Sequence, residues 1–230
     1  MKQNILYEDQ EILVVTKPAG IATQTARLGQ QDMVSELKNY LKNPYLGLIH
    51  RLDQPVSGIL VFAKNPKAAA NLSAQAAREV DKGGMKKHYY AIVCGKPEEE
   101  SGVLVDYLLK NGRTNLSEVV SKDTRDAKAA KLLYQVCGQK EEYTKLEIEL
   151  CTGRHHQIRV QLAHAWLPIL GDSKYGTEKS KALSDRLQCR NVALCAYKLE
   201  FIHPVTGKKL SFTIEPKEKI WELFQSEDLL

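Results

Sequence analysis

The sequence lacks a long hydrophobic run. No stretch of its 230 residues approaches the ~18 to 20 consecutive apolar residues that a membrane-spanning helix requires. The first ten residues, MKQNILYEDQ, also lack the apolar segment of a secretory signal peptide. We therefore expect a cytoplasmic protein that has no membrane partner.

Cysteine is scarce and scattered. The chain has five cysteines, an odd number, and none of them forms a C-x-x-C pair: Cys94, Cys137, Cys151, Cys189 and Cys195. Such spacing argues against a disulfide framework and against a structural zinc site. We expect reduced thiols and no bound metal.

Charge is present in both signs, with a small excess of base. Lysine and arginine total 33 against 28 acidic residues, which gives a formal net charge of +5. This excess alone is weak support for nucleic-acid binding. The basic residues are concentrated in "KGGMKKHYY", "GRHHQIR" and "HPVTGKK", and these stretches would form a phosphate-binding surface if the fold placed them on one face.

Hydrophobic periodicity predicts strands and helices distributed along the whole chain. The predicted strands cover residues 11–17, 58–64, 87–95, 102–110, 129–139 and 143–153, and a hairpin follows within 192–214. The predicted helices cover residues 32–43, 66–80, 155–166 and the terminal "IWELF", while the polar stretch before residue 127 receives no element. The fold class is α+β, a large mixed and mainly antiparallel β-sheet flanked by helices and loops. We expect one domain over residues 1–230, or two lobes sharing a sheet.

The stretch "HRLDQPVSG", residues 50–58, places Asp53 just before the apolar run Ile59-Leu60-Val61-Phe62-Ala63. A partly desolvated carboxylate at the end of a sheet can act as a nucleophile or base if a cation keeps it ionised. Arg51 lies two residues away and could share a face with it. The alternative interpretation is an aspartate that caps a turn beside a solvated arginine.

Two further stretches carry candidate side chains. "GRHHQIRVQLAHAWLPILGDSKYG" holds Arg154 and Arg159 around a predicted helix start, where guanidinium groups suit a carboxylate or a phosphate. Its histidines have no acidic companion of the H-E-x-x-H kind, so a metal site is not expected. In "KKHYYAIV", Tyr89 and Tyr90 alternate faces of a strand, and the sequence alone leaves open which of them lines a pocket.

These blocks together resemble the RluA-type RNA pseudouridine synthases. "HRLDQPVSGILVFAK" is similar to the family signature H-R-L-D-x-x-T-S-G-L-L, and "ILYEDQEILVVTKPAG" is similar to its opening strand and K-P-x-G turn. "KKHYYAIVCG", "GRHHQIRVQLAHAWLPILGDSKYG" and "LEFIHPVTGKKLSF" match three further family blocks in the same order. The resemblance spans roughly residues 5–222 and implies the pseudouridine synthase fold.

The resemblance implies an isomerase that detaches uracil from its ribose, turns it and reattaches it through C5, without metal or organic cofactor. The partner is RNA, either rRNA or tRNA, and the enzyme is expected to act as a monomer. Asp53 corresponds to the aspartate that attacks a uridine flipped out of its stack. Tyr89 is expected to stack on the flipped base, and Arg159 to pair with the aspartate.

Other side chains are implied to contact RNA. Arg154 corresponds to a phosphate contact or to the alternative partner of the aspartate, and Arg51 could fill the gap left in the RNA stack. His50 is assigned with the RNA-binding loop, where it supports the loop conformation. The chain departs from the family pattern at Val56, where the family has threonine, and at Gln161, where it has histidine.

The family strand begins by residue 5, so no S4-type RNA-binding domain is expected before it, and the catalytic domain would recognise RNA itself. Two alternative functions stay open from the sequence. One is an RNA-binding factor for ribosome or tRNA maturation in which catalysis is incidental. The other is a hydrolase of small nucleosides, against which the distribution of basic residues argues.

Overall fold

The computed structural model describes residues 4–25 and 29–224. The chain divides into two units: unit 1 takes the described parts of Met1–Lys87 and Ala196–Glu215, and unit 2 takes those of His88–Cys195 and Pro216–Leu230. The strands are β1 (Ile5–Glu8), β2 (Ile12–Lys17), β3 (Gly47–Leu48), β4 (Ser57–Ala63), β5 (Lys86–Cys94), β6 (Ser101–Asn111), β7 (Leu116–Val120), β8 (Lys128–Gln139), β9 (Tyr143–Leu150), β10 (Leu194–Ile202) and β11 (Lys209–Thr213). The helices are α1 (Met33–Leu41), α2 (Pro66–Ala77), α3 (Gln157–His164) and α4 (Glu178–Arg186), with 3-10 helices at Val80–Lys82 and Lys219–Phe224.

The sheet of unit 1 has the strand order β1-β2-β4-β10, with β3 on β4 and β11 on β10. The pairs β1–β2, β2–β4, β3–β4 and β10–β11 are antiparallel. All seven residues of β4 are buried, as its unbroken apolar run predicts for a strand covered on both faces. The core beside it joins β2, β4, α2 and β10 through Ile12, Val14, Ile59, Val61, Ala68, Leu72, Leu199 and Phe201.

The helices of unit 1 begin where the sequence predicts. Asp32 precedes α1 and its Oδ1 accepts a hydrogen bond from the Ser35 N–H at 2.8 Å, as expected for a cap. Asn65 caps α2 in the same way through the Ala68 N–H, and Pro66 occupies the first turn. Both predicted helices are confirmed.

Gly58 allows the start of β4 to lie directly against β10. Its φ is +135°, and a Cβ added there would lie 2.5 Å from atoms of Ala196. A side chain at this position would meet both a backbone conformation unsuited to L-residues and a steric clash. The glycine therefore helps to fix where the strand after Asp53 begins.

The sheet of unit 2 has the strand order β5-β9-β8-β6-β7, and all four of these pairs are antiparallel. Residues of β9 alternate between half-buried and buried, which confirms the period-2 prediction. Helix α3 packs on β6 and β7. The small core there consists of Leu108, Ala130 and Val160, with Val119 and Tyr175 against it.

The structure differs from the sequence prediction in two parts of unit 2. Strand β7 and helix α4 were not predicted, because β7 is only five residues long and α4 is mostly polar, so neither has a strong periodic signal. The predicted helix over residues 155–166 is shorter at both ends, and Trp166 does not belong to its apolar stripe.

Trp166 lies beyond the end of α3. Its φ is +61° and its side chain is 85 % exposed. The Leu167 N–H donates to the Leu162 carbonyl at 2.8 Å and the Trp166 N–H to that of Ala163 at 3.2 Å, the Schellman pattern that ends a helix at a left-handed residue. The four-residue spacing of Ile158, Leu162 and Trp166 was therefore misleading at its last position.

The predicted α+β class with mainly antiparallel strands is confirmed. Within residues 4–25 and 29–224, no helix has both the length and the apolar character needed to cross a membrane.

Candidate active site

Asp53 lies on a tight turn that leads directly into β4. The Val56 N–H donates to the Asp53 carbonyl at 3.0 Å, closing the turn, and the Asp53 side chain is half-buried. On the other side of the loop, the Thr23 hydroxyl donates to the Leu52 carbonyl at 2.8 Å and accepts from the Leu52 N–H at 3.2 Å. The backbone on both sides of Asp53 is thus held by short polar contacts.

Lys17, at the end of β2, connects this loop to the neighbouring K-P-x-G turn. Its side chain is fully buried, and Nζ donates to the carbonyls of Ile21 at 2.7 Å, Pro18 at 2.9 Å and Gln54 at 3.1 Å. Gln54 adds two bonds to Gly20, one from the Gly20 N–H at 2.8 Å and one from its own Nε2 at 2.9 Å. Distorting this part of the loop would leave the buried ammonium without its carbonyl acceptors, which is energetically unfavourable.

His50 and Arg51 occupy the same loop with different surroundings. Arg51 is exposed, whereas His50 is half-buried and its Nε2 accepts from the Val61 N–H of β4 at 3.4 Å. Burial, together with the nearby Lys87 ammonium, lowers the pKa of His50 to about 3. A neutral imidazole is required for Nε2 to accept this bond, so the loop depends on an uncharged His50.

Tyr89 and Tyr90 are distinguished by burial. Tyr89 is buried on β5 opposite Ile148 of β9. Tyr90 faces the other side of the strand, half-buried, with the Lys145 ammonium 4.4 Å from its ring centroid. Of the two tyrosines, Tyr89 has the more apolar setting within unit 2.

Arg159 is a buried cation fixed by a buried acid. Its Nε donates to Asp172 Oδ2 at 2.7 Å and its Nη2 to Asp172 Oδ1 at 2.8 Å, a bidentate pair whose side chains are 4 % and 0 % exposed. Asp172 Oδ1 also accepts from the N–H groups of Lys174 at 3.0 Å and Tyr175 at 3.2 Å. The loop after α3 therefore sets the plane and the direction of the guanidinium.

Tyr175 extends this network to β7. The Arg159 guanidinium carbon lies 5.2 Å from its ring centroid, and its hydroxyl accepts from the Ser117 N–H and contacts His156 Nδ1, both at 2.8 Å. The Ser117 hydroxyl donates to the His155 carbonyl at 2.9 Å and contacts His155 Nδ1 at 2.8 Å. The start of α3, the 172–176 loop and β7 are joined through polar side chains.

Arg154 and Arg159, which the sequence could not separate, differ sharply in the structure. Arg154 is exposed, and its Nε donates to the Ala129 carbonyl at 2.9 Å. Gln161, which replaces the family histidine, donates through Nε2 to Asp106 at 2.7 Å. Among the described residues, no group of three or more His, Cys, Asp or Glu side chains could hold a metal ion.

The structure places His50, Arg51 and Asp53 together on one loop of unit 1, and Tyr89, Arg154 and Arg159 within unit 2. The roles of Lys17, Ser117 and Tyr175, and the partner of Asp172, were not evident from the sequence. Lys17 and Tyr175 lie inside the family blocks quoted above. The motifs therefore contained both residues but did not show which groups they contact. Ser117 lies in a stretch that carried no motif.

Unit 1 thus holds a half-buried carboxylate on a tight turn, and unit 2 holds a buried tyrosine on a strand and a buried guanidinium on a helix. The family model for RNA pseudouridylate synthase matches residues 11–164. The chain therefore belongs to the RNA pseudouridylate synthase family, isomerases that convert uridine to pseudouridine in RNA.

Individual relatives align with this chain over nearly its whole length. The chain is 30% identical over 227 residues to tRNA pseudouridine synthase C of Haemophilus ducreyi, covering 93% of this chain and 90% of the relative. It is 34% identical over 238 residues to ribosomal large subunit pseudouridine synthase D of Xanthomonas campestris pv. campestris, covering 97% and 69%. The solved structure of human RNA pseudouridylate synthase domain containing 4 has a similar fold, with a TM-score of 0.75, 23% identity, and coverage of 94% and 90%.

Proposed function

We propose that this protein isomerises specific uridines in rRNA or tRNA to pseudouridine, with Asp53 as the attacking carboxylate. The family supplies the reaction class, and relatives named for tRNA and for the large ribosomal subunit support the choice of substrate. The reaction breaks the bond from ribose C1′ to N1 of uracil and the C5–H bond, and it forms a C1′–C5 bond and an N1–H bond. The C5 proton is lost to solvent and N1 takes one up, so no atom or electron is gained overall.

The observation that carries the proposal is the rigid setting of Asp53. Its turn is joined to buried β4 on one side and to the hydrogen-bonded Lys17 and Thr23 on the other. A nucleophile held in this way needs little reorganisation when the substrate arrives. The carboxylate attacks either the ribose or the base, and both routes require the uridine outside the RNA stack.

The other site residues receive roles from their positions in the family blocks. Arg159 is the proposed partner of the Asp53 carboxylate, which its burial and its fixed guanidinium support. Tyr89 is proposed to stack on the flipped base. The exposed Arg51 and Arg154 are proposed RNA contacts, with His50 supporting the loop that carries Arg51.

We further take the enzyme to be one cytoplasmic catalytic domain over residues 1–230, monomeric and independent of metal and organic cofactors. A redox-neutral isomerisation does not itself demand a cofactor. Size-exclusion chromatography with light scattering tests the monomer. If the enzyme is independent of metal ions, it should retain full activity after exhaustive treatment with a chelator.

Release of tritium from [5-³H]uridine-labelled rRNA and tRNA tests the function. The wild-type protein is expected to release tritium from at least one RNA, and Asp53→Asn to release none above background. Asn is nearly the same size as Asp, so the variant should still fold, but its side chain has no carboxylate to attack the substrate. Equal release by both proteins would refute the role of Asp53, and rescue of a deletion strain by Asp53→Asn would favour an RNA-binding factor.

The two tyrosines provide a matched pair. Tyr89→Ala should reduce the single-turnover rate constant roughly 5- to 150-fold more than Tyr90→Ala, because Tyr89 has the position of the family's stacking residue while Tyr90 contacts Lys145. Single-turnover tritium release with saturating enzyme measures the difference. A larger loss for Tyr90→Ala would mean that the assignment is displaced by one residue.

A further inference from the structure

Four exposed cations gather at one end of the unit 2 sheet, on the face covered by α3. The strand register shows which side chains share this face: Leu108 of β6 pairs with Lys128 of β8, and Lys110 of β6 pairs with Ser117 of β7. Leu108 belongs to the small core beneath α3, and Ser117 contacts His155 just before that helix. Lys110 and Lys128 therefore lie on the α3 face, where the apolar core ends.

Arg154 and Lys174 reach the same place from other elements. Arg154 donates through Nε to the carbonyl of Ala129, the residue after Lys128. Lys174 donates through Nζ to the Asn115 carbonyl at 3.2 Å, two residues before Ser117. Two strands, the residues before α3 and the 172–176 loop thus each contribute a positive charge around Ser117 and His155.

We call these four cations the cationic rim. None of Lys110, Lys128, Arg154 and Lys174 forms an ion pair with a described carboxylate, and all four are exposed. The acids of the adjacent turn are Asp123 and Asp126, of which Asp126 lies by Arg125 at 3.8 Å. Lys110 and Lys128 are diagonal neighbours on adjacent strands, about 7–8 Å apart at their Cα atoms, where like charges do not stabilise the sheet.

We propose that the cationic rim binds backbone phosphates of the RNA substrate. Repeated phosphate groups match several separate cations around a patch better than a single small anion does, and such contacts contribute affinity without reading sequence. The rim adds Lys110, Lys128 and Lys174 to the RNA-contacting residues. The inference rests on the proposed function only in taking RNA as the ligand.

The rim also has a physical connection to the site residues of unit 2. Ser117 donates its N–H to the Tyr175 hydroxyl, and the Tyr175 N–H donates to Asp172, the partner of Arg159. A phosphate contact at Lys110 or Lys174 would therefore hold RNA against the same framework that orients the buried guanidinium.

The test is the salt dependence of RNA binding by Lys110→Gln/Lys128→Gln, built in an Asp53→Asn background so that the RNA is not converted. Fluorescence anisotropy with labelled oligouridylate and with labelled bulk tRNA gives Kd at several salt concentrations. Two lost phosphate contacts should weaken binding about tenfold near 0.1 M salt and lower the slope of log Kd against log salt by about 1.4 for single-stranded RNA. Lys110→Arg/Lys128→Arg should retain both the affinity and the slope.

Lys179→Gln/Lys181→Gln is the matched control, because it removes the same charge from exposed positions of α4 in the same unit. The proposal is overturned if the rim variant and the α4 variant have the same Kd and the same slope on both RNAs, with thermal melting showing both folded. Binding is measured at equilibrium without turnover. A failed assignment of Asp53, seen in tritium release, is therefore distinguishable from a failed assignment of the rim.

Discussion

Replacing Asp172 with alanine would remove the bidentate carboxylate partner of the Arg159 guanidinium in the interior of unit 2. The two side chains are 0 % and 4 % exposed and are joined by hydrogen bonds of 2.7 and 2.8 Å, so water cannot readily take the place of the lost carboxylate. Removing one partner of such a pair costs about 3–5 kcal/mol. For a chain of this length, that corresponds to a fall in Tm of roughly 6–20 °C.

Asp172 has a second role that a milder substitution retains. Its Oδ1 accepts from the N–H groups of Lys174 and Tyr175, and an asparagine amide oxygen could still accept both bonds. Asp172→Asn therefore removes the charge while keeping the turn. We expect its stability to lie between those of the wild type and Asp172→Ala.

The decisive comparison adds the neutral pair Arg159→Met/Asp172→Asn. With both members of the buried pair replaced by neutral side chains, neither member is left without the other, so this double variant should be more stable than Asp172→Ala despite carrying two changes. Differential scanning calorimetry and urea denaturation measure the order. If Asp172→Ala unfolds within about 0.5 kcal/mol of the wild type, the ion pair is not a principal support of unit 2 and the reasoning fails.

Two further predictions concern unit 1. Gly58→Ala should lower Tm strongly, because its Cβ would lie 2.5 Å from Ala196 at a φ of +135°. The control Gly112→Ala places its Cβ in open space and should leave Tm nearly unchanged. Equal melting temperatures for the two variants would contradict the close approach of Gly58 to Ala196. The pKa of His50 is about 3 in the folded protein and about 6.5 in the unfolded chain, so the unfolded chain binds a proton first as pH falls. The free energy of unfolding should therefore decline from pH 6.5 toward pH 3, by about 2 kcal/mol at pH 5. Urea midpoints across this range should decline less steeply for His50→Gln, and parallel curves for the two proteins would exclude His50 as a source of the decline.

Local sequence chemistry was sufficient for β2, β4, α1 and α2 of unit 1, but it did not predict the short strands β1 and β3. The unbroken apolar run of β4, the Asp32 cap of α1 and Pro66 in the first turn of α2 each have a direct physical meaning, and the structure has all three. The same reasoning failed at Trp166, because periodicity cannot show that a helix ends in a left-handed residue. Strand β7 is specified by its partner β6 more than by its own sequence.

The site was predictable as a set of residues, but much of its support was not. The motifs pointed to Asp53, Tyr89 and Arg159 as side chains with chemical roles. That Lys17 would place its ammonium against the Gln54 carbonyl, or that Asp172 would hold Arg159, depends on contacts across 37 and 13 residues of chain. Pairings at such separations arise from tertiary structure, and no local pattern encodes them.

Unit 1 is assembled from two separate segments of chain, and this has a consequence for its synthesis. Met1–Lys87 leaves the ribosome first, but β10, the strand that lies beside β4, follows only after His88–Cys195 has been made. At roughly 5–20 residues per second, the apolar β4 waits on the order of 7–28 s for that neighbour. During this interval the nascent chain presents a hydrophobic strand with an incomplete edge, so newly made protein should be most prone to aggregate, and most dependent on chaperones, until β10 has emerged.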